Sequence, residues 1–268
     1  ELCQIFSFSF ERKLNKILHM LSANRLKQIQ SLKTKKGRLK ENLFLIEGKR
    51  SLKEYLQKSR LLEQVIITDS EASLNTDLLN LCDEKKIDFT IIQAKLLKKI
   101  SDTKTPSGLI GICKININTK EDFKSDRWLY LYKIKDPGNL GTILRTAAWF
   151  NIKNIGLSAE CVDPFNTKVV RSAMGAHAYI KIHQHLNFDD FIKNNYQLFG
   201  ADQNGEDCIE KSDYDKKIVL CLGGESEGFN KSLKEKFKKI VSIRRVGYGE
   251  SLNVAIAGSI LMKDISKK

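Results

Sequence analysis

Uninterrupted apolar runs alternate with amphipathic segments through the second half of the chain, and the clearest run is residues 218–222. A strand that is apolar at every position is buried on both faces, which in α/β proteins indicates a parallel sheet with helices on each side. The predicted strands are residues 128–134, 154–157, 179–183, 197–200, 217–222 and 239–243. The predicted helices are residues 140–150, 166–173, 188–195, 231–237 and 252–265.

The first half of the chain predicts a small α/β domain of its own at residues 21–115. The polar stretch 116–126 predicts a linker to a second domain at 127–268. Residues 1–20 form an extension that we do not interpret as a signal peptide, because its apolar run follows no basic region and precedes no cleavage site. The predicted elements of the first domain are helices at 22–36, 48–58, 74–86 and 95–100 and strands at 43–46, 64–68, 89–93 and 108–113.

The chain is strongly basic, with 46 Lys and Arg against 32 Asp and Glu and a formal net charge of +14. The excess is concentrated between residues 25 and 60, where 12 basic residues accompany 3 acidic ones. This stretch favours a polyanion such as RNA as the partner, although a solvated lysine-rich face gives the same pattern.

The six cysteines are widely spaced, without a Cys-x-x-Cys pair, and have apolar neighbours. This pattern predicts reduced core thiols in a cytoplasmic protein rather than a zinc or redox motif. No run approaches the roughly 20 apolar residues of a membrane span, so no membrane partner is expected. We also expect no metal site, because no Cys or acid is spaced to complete one with His177, His183 and His185, of which the last two should share a strand face. The cysteines are Cys3, Cys82, Cys113, Cys161, Cys208 and Cys221.

Three segments rich in glycine and polar residues each follow a predicted strand. In open α/β sheets, ligands bind beyond the carboxyl ends of the strands, so segments that converge there would form one site. An enzyme is therefore the favoured interpretation. The segments are Asp136-Pro137-Gly138-Asn139-Leu140-Gly141 continuing to Arg145, Gly223-Gly224-Glu225-Ser226-Glu227-Gly228, and Gly247 through Ser251-Leu252-Asn253-Val254.

Each segment has a local feature that suits a ligand site. Helical spacing places Arg145 on the same face as Gly141, from which it should lean toward the strand ends. Gly223 and Gly224 should allow the chain to pass close to a ligand. Ser251 is placed to cap the last helix.

Together the segments resemble the three motifs of the SpoU family of RNA ribose methyltransferases, in the SPOUT superfamily, over about residues 126–265. The first segment matches its motif throughout, the second matches from Leu222 to Gly228, and the third matches at Ile243 and at Gly247 through Val254. Arg244 departs from the family, which usually has proline after the isoleucine. Residues 22–55 also resemble, more loosely, the small amino-terminal RNA-binding domain of many members.

The resemblance implies a fold and a cofactor that composition could not show. The carboxyl-terminal domain would contain a deep trefoil knot that forms the pocket for S-adenosylmethionine (AdoMet). Gly223, Ile243 and Leu252 would contact this methyl donor, largely through backbone groups. Members are usually homodimers, and their active site takes groups from both subunits.

The resemblance also implies methyl transfer to a ribose 2′-hydroxyl, with Arg145 as the central catalytic residue. Because arginine stays protonated at neutral pH, we expect it to stabilise the developing alkoxide and to grip a phosphate. Asn139 would orient the ribose and Glu225 would organise the pocket. Ser251 and Asn253 would fix the third loop.

Other functions fit the sequence less well. A dinucleotide-dependent oxidoreductase needs Gly-x-Gly-x-x-Gly after its first strand, and the chain has no such run. A non-catalytic RNA-binding protein with the same fold is disfavoured because the polar motif residues are all retained. Ribosomal RNA is favoured over transfer RNA as the substrate, since an extra basic domain suits a large folded target.

Overall fold

The computed structural model describes residues 21–58, 61–115, 123–206, 216–224 and 228–266. The chain divides into two compact units, Glu1–Ile115 and Asn116–Lys268.

The amino-terminal unit is a four-stranded mixed sheet with helices. The strand order is β1-β4-β2-β3, in which β2 and β3 are parallel and β4 runs antiparallel to both β1 and β2. The elements are α1 (Ala23–Ser31), α2 (Lys35–Glu41), β1 (Leu43–Glu47), α3 (Lys49–Lys58), β2 (Leu62–Thr68), α4 (Asp69–Leu74), α5 (Thr76–Lys85), β3 (Asp88–Ile92), α6 (Ala94–Ile100) and β4 (Leu109–Lys114).

The single helix predicted at 22–36 is wrong, because α1 and α2 are separate helices. Thr34 caps α2 by accepting a hydrogen bond from the Gly37 backbone N–H at 3.0 Å. The buried Arg38 guanidinium then donates to the carbonyl oxygens of Leu32 and Lys33, at 2.8 and 3.0 Å, which satisfies the backbone where the chain turns. A local cap therefore overrides the continuous amphipathic pattern.

The helix predicted at 74–86 is also divided, and it is preceded by the unpredicted α4. Asn75 separates α4 from α5 with a non-helical backbone, φ −130° and ψ 40°. Its side-chain amide donates to the Glu71 carbonyl oxygen at 2.8 Å. Asparagine often competes in this way with helical backbone hydrogen bonds.

The carboxyl-terminal unit contains a six-stranded sheet in the order β10-β8-β9-β5-β6-β7, and every neighbouring pair is parallel. The predicted parallel sheet is confirmed, and the trefoil knot stays a prediction. The elements are β5 (Arg127–Tyr132), α7 (Pro137–Trp149), β6 (Asn154–Leu157), α8 (Thr167–Ala173), a 3₁₀ turn (Ala176–Ala178), β7 (Lys181–Gln184), α9 (Phe188–Lys193), β8 (Gln197–Glu206), β9 (Ile218–Gly223), α10 (Lys231–Lys234), β10 (Lys239–Val241) and α11 (Val254–Ile265).

The two faces of this sheet are chemically different. Leu129 and Leu131 of β5 point into an aliphatic core, whereas Trp128 and Tyr130 point into an aromatic core that includes Phe191. A slip of one residue in strand pairing would exchange the aliphatic and aromatic side chains, so the two cores together fix the register.

Several boundaries differ from the prediction. β7 begins at Lys181 rather than at residue 179, since the 3₁₀ turn occupies the chain up to Ala178. His183 is buried on β7, but His185 follows the strand with a φ of 63°, so the two do not share a strand face. β8 continues to Glu206, well beyond the predicted end at residue 200.

The described cysteines, Cys82, Cys113, Cys161 and Cys221, are free thiols, and all but Cys161 are buried. Burial raises the pKa of Cys82 to about 12 and raises the pKa values of the other three. The prediction of reduced core thiols is confirmed for Cys82, Cys113 and Cys221, and Cys3 and Cys208 lie outside the described residues. None of the helices in the described part of the chain has the length and apolar character of a membrane span.

Candidate active site

The first motif segment is built around the start of α7. The Asp136 carboxylate accepts a hydrogen bond from the Asn139 backbone N–H at 2.7 Å, and Pro137 occupies the first helical position. Both residues are favourable at a helix start. This cap holds Asn139 in the first turn of α7, beyond the carboxyl end of β5.

Gly141 sets how closely α7 packs on α8. A Cβ at this position would lie 2.4 Å from the Ser172 Cβ and 2.6 Å from the Val169 carbonyl oxygen. The close packing of α7 on α8 brings the Lys168 ammonium to 4.0 Å from the Asp136 carboxylate. Lys168 was not among the predicted site residues, because no pattern in the sequence shows that α8 starts beside the start of α7.

The second motif segment is hydrogen-bonded to the end of β5. The Gly224 backbone N–H donates to the Tyr132 carbonyl oxygen at 2.8 Å, and a Cβ on Gly224 would lie 2.4 Å from the Lys133 carbonyl oxygen. Glycine is therefore required here by the neighbouring backbone, and not only by the ligand that the sequence suggested. Gly223 is the last residue of β9. Glu225 lies outside the described residues.

The segment between β5 and α7 is held by residues that were not predicted from the sequence. Lys133 has a left-handed backbone, φ 55°, and its N–H donates to the Ser158 hydroxyl at 3.0 Å. The Cys161 thiol donates to the Leu131 carbonyl oxygen at 3.2 Å. Burial raises the pKa of Cys161, so the thiol keeps the proton that this bond uses. A small polar residue directly after β6 is the only sequence signal for this support.

The third motif segment connects β10 to α11. Ile243 packs against the aliphatic core. Asn253, and not the predicted Ser251, caps α11, and its side-chain oxygen accepts from the backbone N–H of Ala255 at 2.9 Å. Ser251 and Leu252 are exposed. The predicted cap is wrong by two residues. Asparagine and serine cap helices about equally well, so the sequence alone does not distinguish Asn253 from Ser251.

One side-chain contact joins the first and third segments. The Asn253 amide donates to the Asn139 side-chain oxygen at 3.0 Å. Further along the same two helices, the Thr146 and Ser259 hydroxyls are 3.2 Å apart, and the Ser266 hydroxyl donates to the Phe150 carbonyl oxygen at 3.4 Å. The contacts proceed in the same direction along both helices, so α7 and α11 lie side by side and parallel.

The second segment joins this pair of helices through β9. A Cβ on Gly258 of α11 would lie 2.5 Å from a methyl carbon of Leu222, directly before Gly223. The last helix thus lies against the strand that carries the second segment. All three segments, as far as they are described, meet at one end of the sheet.

Arg145 lies further along α7 than the motif residues described above. It is exposed two turns along α7, on a stripe with Thr142 and Trp149, which is 84% exposed. It lies eight positions after the first residue of α7, which corresponds to an axial rise of about 12 Å. The described contacts do not include one between Arg145 and the segment that follows β9, so its part in the site stays a prediction.

The described residues contain no group of three or more His, Cys, Asp or Glu that could hold a metal ion. The buried His177 has its Nε2 atom 2.8 Å from the Pro164 carbonyl oxygen. Burial lowers the pKa of His177 to about 4, so the ring is neutral at physiological pH. It joins the loop before α8 to the 3₁₀ turn and has a structural role.

Comparison with known proteins decides the family. Residues 126–263, just over half of the chain, match the SpoU rRNA Methylase family. The chain belongs to this family. Residues 23–111 match the MRM3-like substrate binding domain. The family predicted from the three motifs is therefore confirmed.

Similar proteins cover nearly the whole of this SpoU family member. The 23S rRNA (guanosine(2553)-2′-O)-methyltransferase RlmP of Bacillus subtilis is 30% identical over 89% of this chain and 94% of its own length. A TrmH-family protein from Porphyromonas gingivalis has 29% identity and a TM-score of 0.78 over 92% of this chain and 98% of that one. The AdoMet-bound rRNA methyltransferase from Sinorhizobium meliloti has 25% identity and a TM-score of 0.76, over 92% and 95% of the two chains. The SPOUT-type α/β fold is confirmed.

The contact between Asn139 and Asn253 predicts an energetic coupling between the first and third segments. Asn253→Ser keeps a capping oxygen but is too short to reach Asn139, so this SpoU protein should lose one side-chain hydrogen bond. A double-mutant cycle with Asn139→Ala, measured by urea unfolding of the carboxyl-terminal unit within the full chain, should give a coupling of about 1 kcal/mol.

The control for this cycle is Asn230→Ser, which makes the same change at the cap of α10, where Asn230 accepts from the Leu233 backbone N–H at 2.9 Å. Combined with Asn139→Ala, this control should change the free energy of unfolding by the sum of the two single changes. If the free-energy changes of Asn253→Ser and Asn139→Ala are also additive, the link between the two motif segments is contradicted.

Proposed function

We propose that this protein is an AdoMet-dependent RNA methyltransferase that transfers a methyl group to a ribose 2′-hydroxyl of ribosomal RNA. The hydrogen bond from Asn253 to Asn139 is the observation that supports this most, since it brings two of the family's motifs together beside the third. The names of the relatives, an rRNA 2′-O-methyltransferase and an AdoMet-bound rRNA methyltransferase, point to the same chemistry.

The described residues fit the methyl donor. Among the described residues, no atom lies within 4 Å of a Cβ added to Gly228 or to Gly247, so both glycines border open space in that part of the chain. Leu252 offers an exposed apolar side chain nearby in the third segment, and Gly223 and Ile243 complete the proposed donor contacts. The adenine ring of the donor needs such apolar contact together with backbone hydrogen bonds. When bound, the donor supplies an electrophilic methyl group on a sulfonium.

The polar residues of the site have separate tasks in this proposal. Asn139, oriented by Asn253, positions the target ribose. The Arg145 guanidinium stabilises negative charge as it develops on the 2′-oxygen. A guanidinium has donors but no acceptor, so the hydroxyl proton leaves by another route. Glu225 organises the pocket and Ser251 supports the third loop.

RNA is held in part by the amino-terminal unit, through fewer residues than its charge suggests. Lys33 donates to the Ser101 carbonyl oxygen at 2.8 Å and lies 3.4 Å from the Asp102 carboxylate, and Arg38 is buried. These two cations stabilise the unit itself. Lys35 and Lys36 are exposed and are the candidates for phosphate contact.

The free, buried cysteines favour a reducing compartment, and we place the protein in the cytoplasm on that ground.

The active form in this proposal is a homodimer formed through α7 and α11. Trp149 and Ile256 are 84% and 54% exposed on these adjacent helices, and Ile260 is exposed beside them. Exposed large apolar side chains on two adjacent helices are typical of a protein interface. Arg145 lies on the exposed stripe of α7 with Trp149, so in this proposal pairing two copies through these helices brings each Arg145 toward its partner's site.

Arg145→Ala should reduce the methyl-transfer rate to RNA by roughly 100-fold or more, the usual cost of removing a group that stabilises transition-state charge. AdoMet affinity should be unchanged in a calorimeter. Labelled methyl incorporation into total RNA measures the rate, and Lys153→Ala, which removes an exposed cation before β6, is the control. A rate for Arg145→Ala close to that of the control would remove Arg145 from the catalytic role.

If each active site combines the donor pocket of one copy with Arg145 of the other, two inactive variants should restore activity when they form mixed dimers. Arg145→Ala and Leu252→Glu proteins, the second impaired in the donor pocket, should each be inactive alone. After mixing and subunit exchange, half of the dimers are mixed and have one intact site, so roughly a quarter of the wild-type activity should return. Ile256→Lys in both chains should abolish dimers in sedimentation and prevent this recovery. Exchange into mixed dimers without any recovery would show that each copy uses its own Arg145.

A further inference from the structure

The loop between β10 and α11 is exposed at every position from residue 244 to residue 250. Val246 is 90% exposed, and Tyr248 is fully exposed. Isolated exposed apolar residues are common, but two large ones at the tip of one loop beside a candidate active site indicate contact with a ligand.

The loop is held in a defined shape despite its exposure. The Arg245 guanidinium donates to the Gly249 carbonyl oxygen at 2.7 Å, which closes a turn around Val246, Gly247 and Tyr248. Gly249 has a φ of 126°, a conformation that other residues rarely adopt. A side chain presented by a closed turn loses less conformational entropy on binding than one on an open loop.

Both ends of the loop are anchored at the site. Ile243 packs against the aliphatic core, and Asn253 is hydrogen-bonded to Asn139. Tyr248 precedes Asn253 by only a few residues, so its Cα atom lies within about 18 Å of the Asn253 Cα atom. Asn253 is in turn hydrogen-bonded to Asn139, which positions the target ribose in the proposed function. This distance corresponds to a few nucleotides of RNA and not to a remote surface.

The chemistry of the loop favours RNA over a second copy of the protein. Three of its seven residues, Arg244, Arg245 and Glu250, are charged. The centre of a dimer interface is depleted of charge, whereas single-stranded RNA is bound by aromatic rings that stack on bases and by arginines close to phosphates. The apolar face of α7 and α11 already offers a surface suited to a partner copy.

We propose that Tyr248 is a stacking platform for an unpaired base that flanks the target nucleotide, and that Arg244 contacts the adjacent phosphate. This inference rests on the proposed function and assigns it a positioning residue outside the donor pocket. The stacked base holds the RNA strand so that the neighbouring ribose reaches Asn139. Tyr248 takes no part in the chemical step.

The test uses the full-length protein and a fluorescein-labelled, unstructured RNA of about 15 nucleotides, a length within the usual span of single-strand binding sites, with binding followed by fluorescence anisotropy. Tyr248→Ala should weaken binding by about 10-fold, within the range measured for loss of one base–aromatic stack. Tyr248→Phe should bind like the unsubstituted protein, because stacking needs the ring and not the hydroxyl. Arg244→Ala should lower the slope of affinity against salt concentration by about one ion.

Tyr179→Ala is the matched control, since Tyr179 is an exposed tyrosine after the 3₁₀ turn, and RNA affinity should not change. AdoMet binding and sedimentation are measured on every variant and should be unaffected. Equal RNA affinity for Tyr248→Ala and the unsubstituted protein would overturn this inference alone. A loss of AdoMet affinity or of the dimer in Tyr248→Ala would assign the loop to the donor or to the partner copy and overturn it too. Failure of the unsubstituted protein to bind RNA would contradict the proposed function together with the inference.

Discussion

The pairing of β5 with β9 at the middle of the parallel sheet determines where everything else in the carboxyl-terminal unit lies. Both strands are buried on two chemically different faces, so their register is fixed by packing. Parallel pairing then puts their carboxyl ends side by side, and the Gly224 N–H bonds the Tyr132 carbonyl oxygen where they finish. Two motif segments that are far apart in the sequence start from this one point because of that constraint.

Helix packing brings the third segment to the same place. Gly258 lets α11 lie against Leu222, and the parallel contact of α11 with α7 places Asn253 beside Asn139. The small residues of the motifs therefore act through packing as much as through contact with a ligand. At Gly141 and Gly224, a side chain would collide with the protein's own backbone. The exposed groups, Arg145 and Tyr248 among them, are those that the proposed function assigns to RNA or to a partner copy.

Much of this arrangement was predictable from sequence, for physical reasons that can be traced to particular residues. The all-apolar run at 218–222 predicts a strand buried on both faces, and Asp136-Pro137 predicts a helix start. Helix boundaries set by hydrogen bonds from side chains to the backbone were harder to predict. Thr34 and Arg38 divide a helix that the amphipathic pattern joins, and Asn253 caps α11 where Ser251 was equally suited. The position of Arg145, two turns from the strand ends, follows from helix geometry, but its distance from the glycine segment depends on a fold that spacing alone does not show.

The central claim is that the converged segments form a site for methylation of an RNA ribose. The most direct measurement is the position of the transferred methyl group after the protein is incubated with total RNA and AdoMet carrying a labelled methyl. A 2′-O-methyl group removes the hydroxyl that alkali uses to cleave the chain, so the label should appear in alkali-resistant dinucleotides derived from ribosomal RNA. Label found in single nucleotides, and therefore on the bases, or no label in RNA at all, would contradict the account.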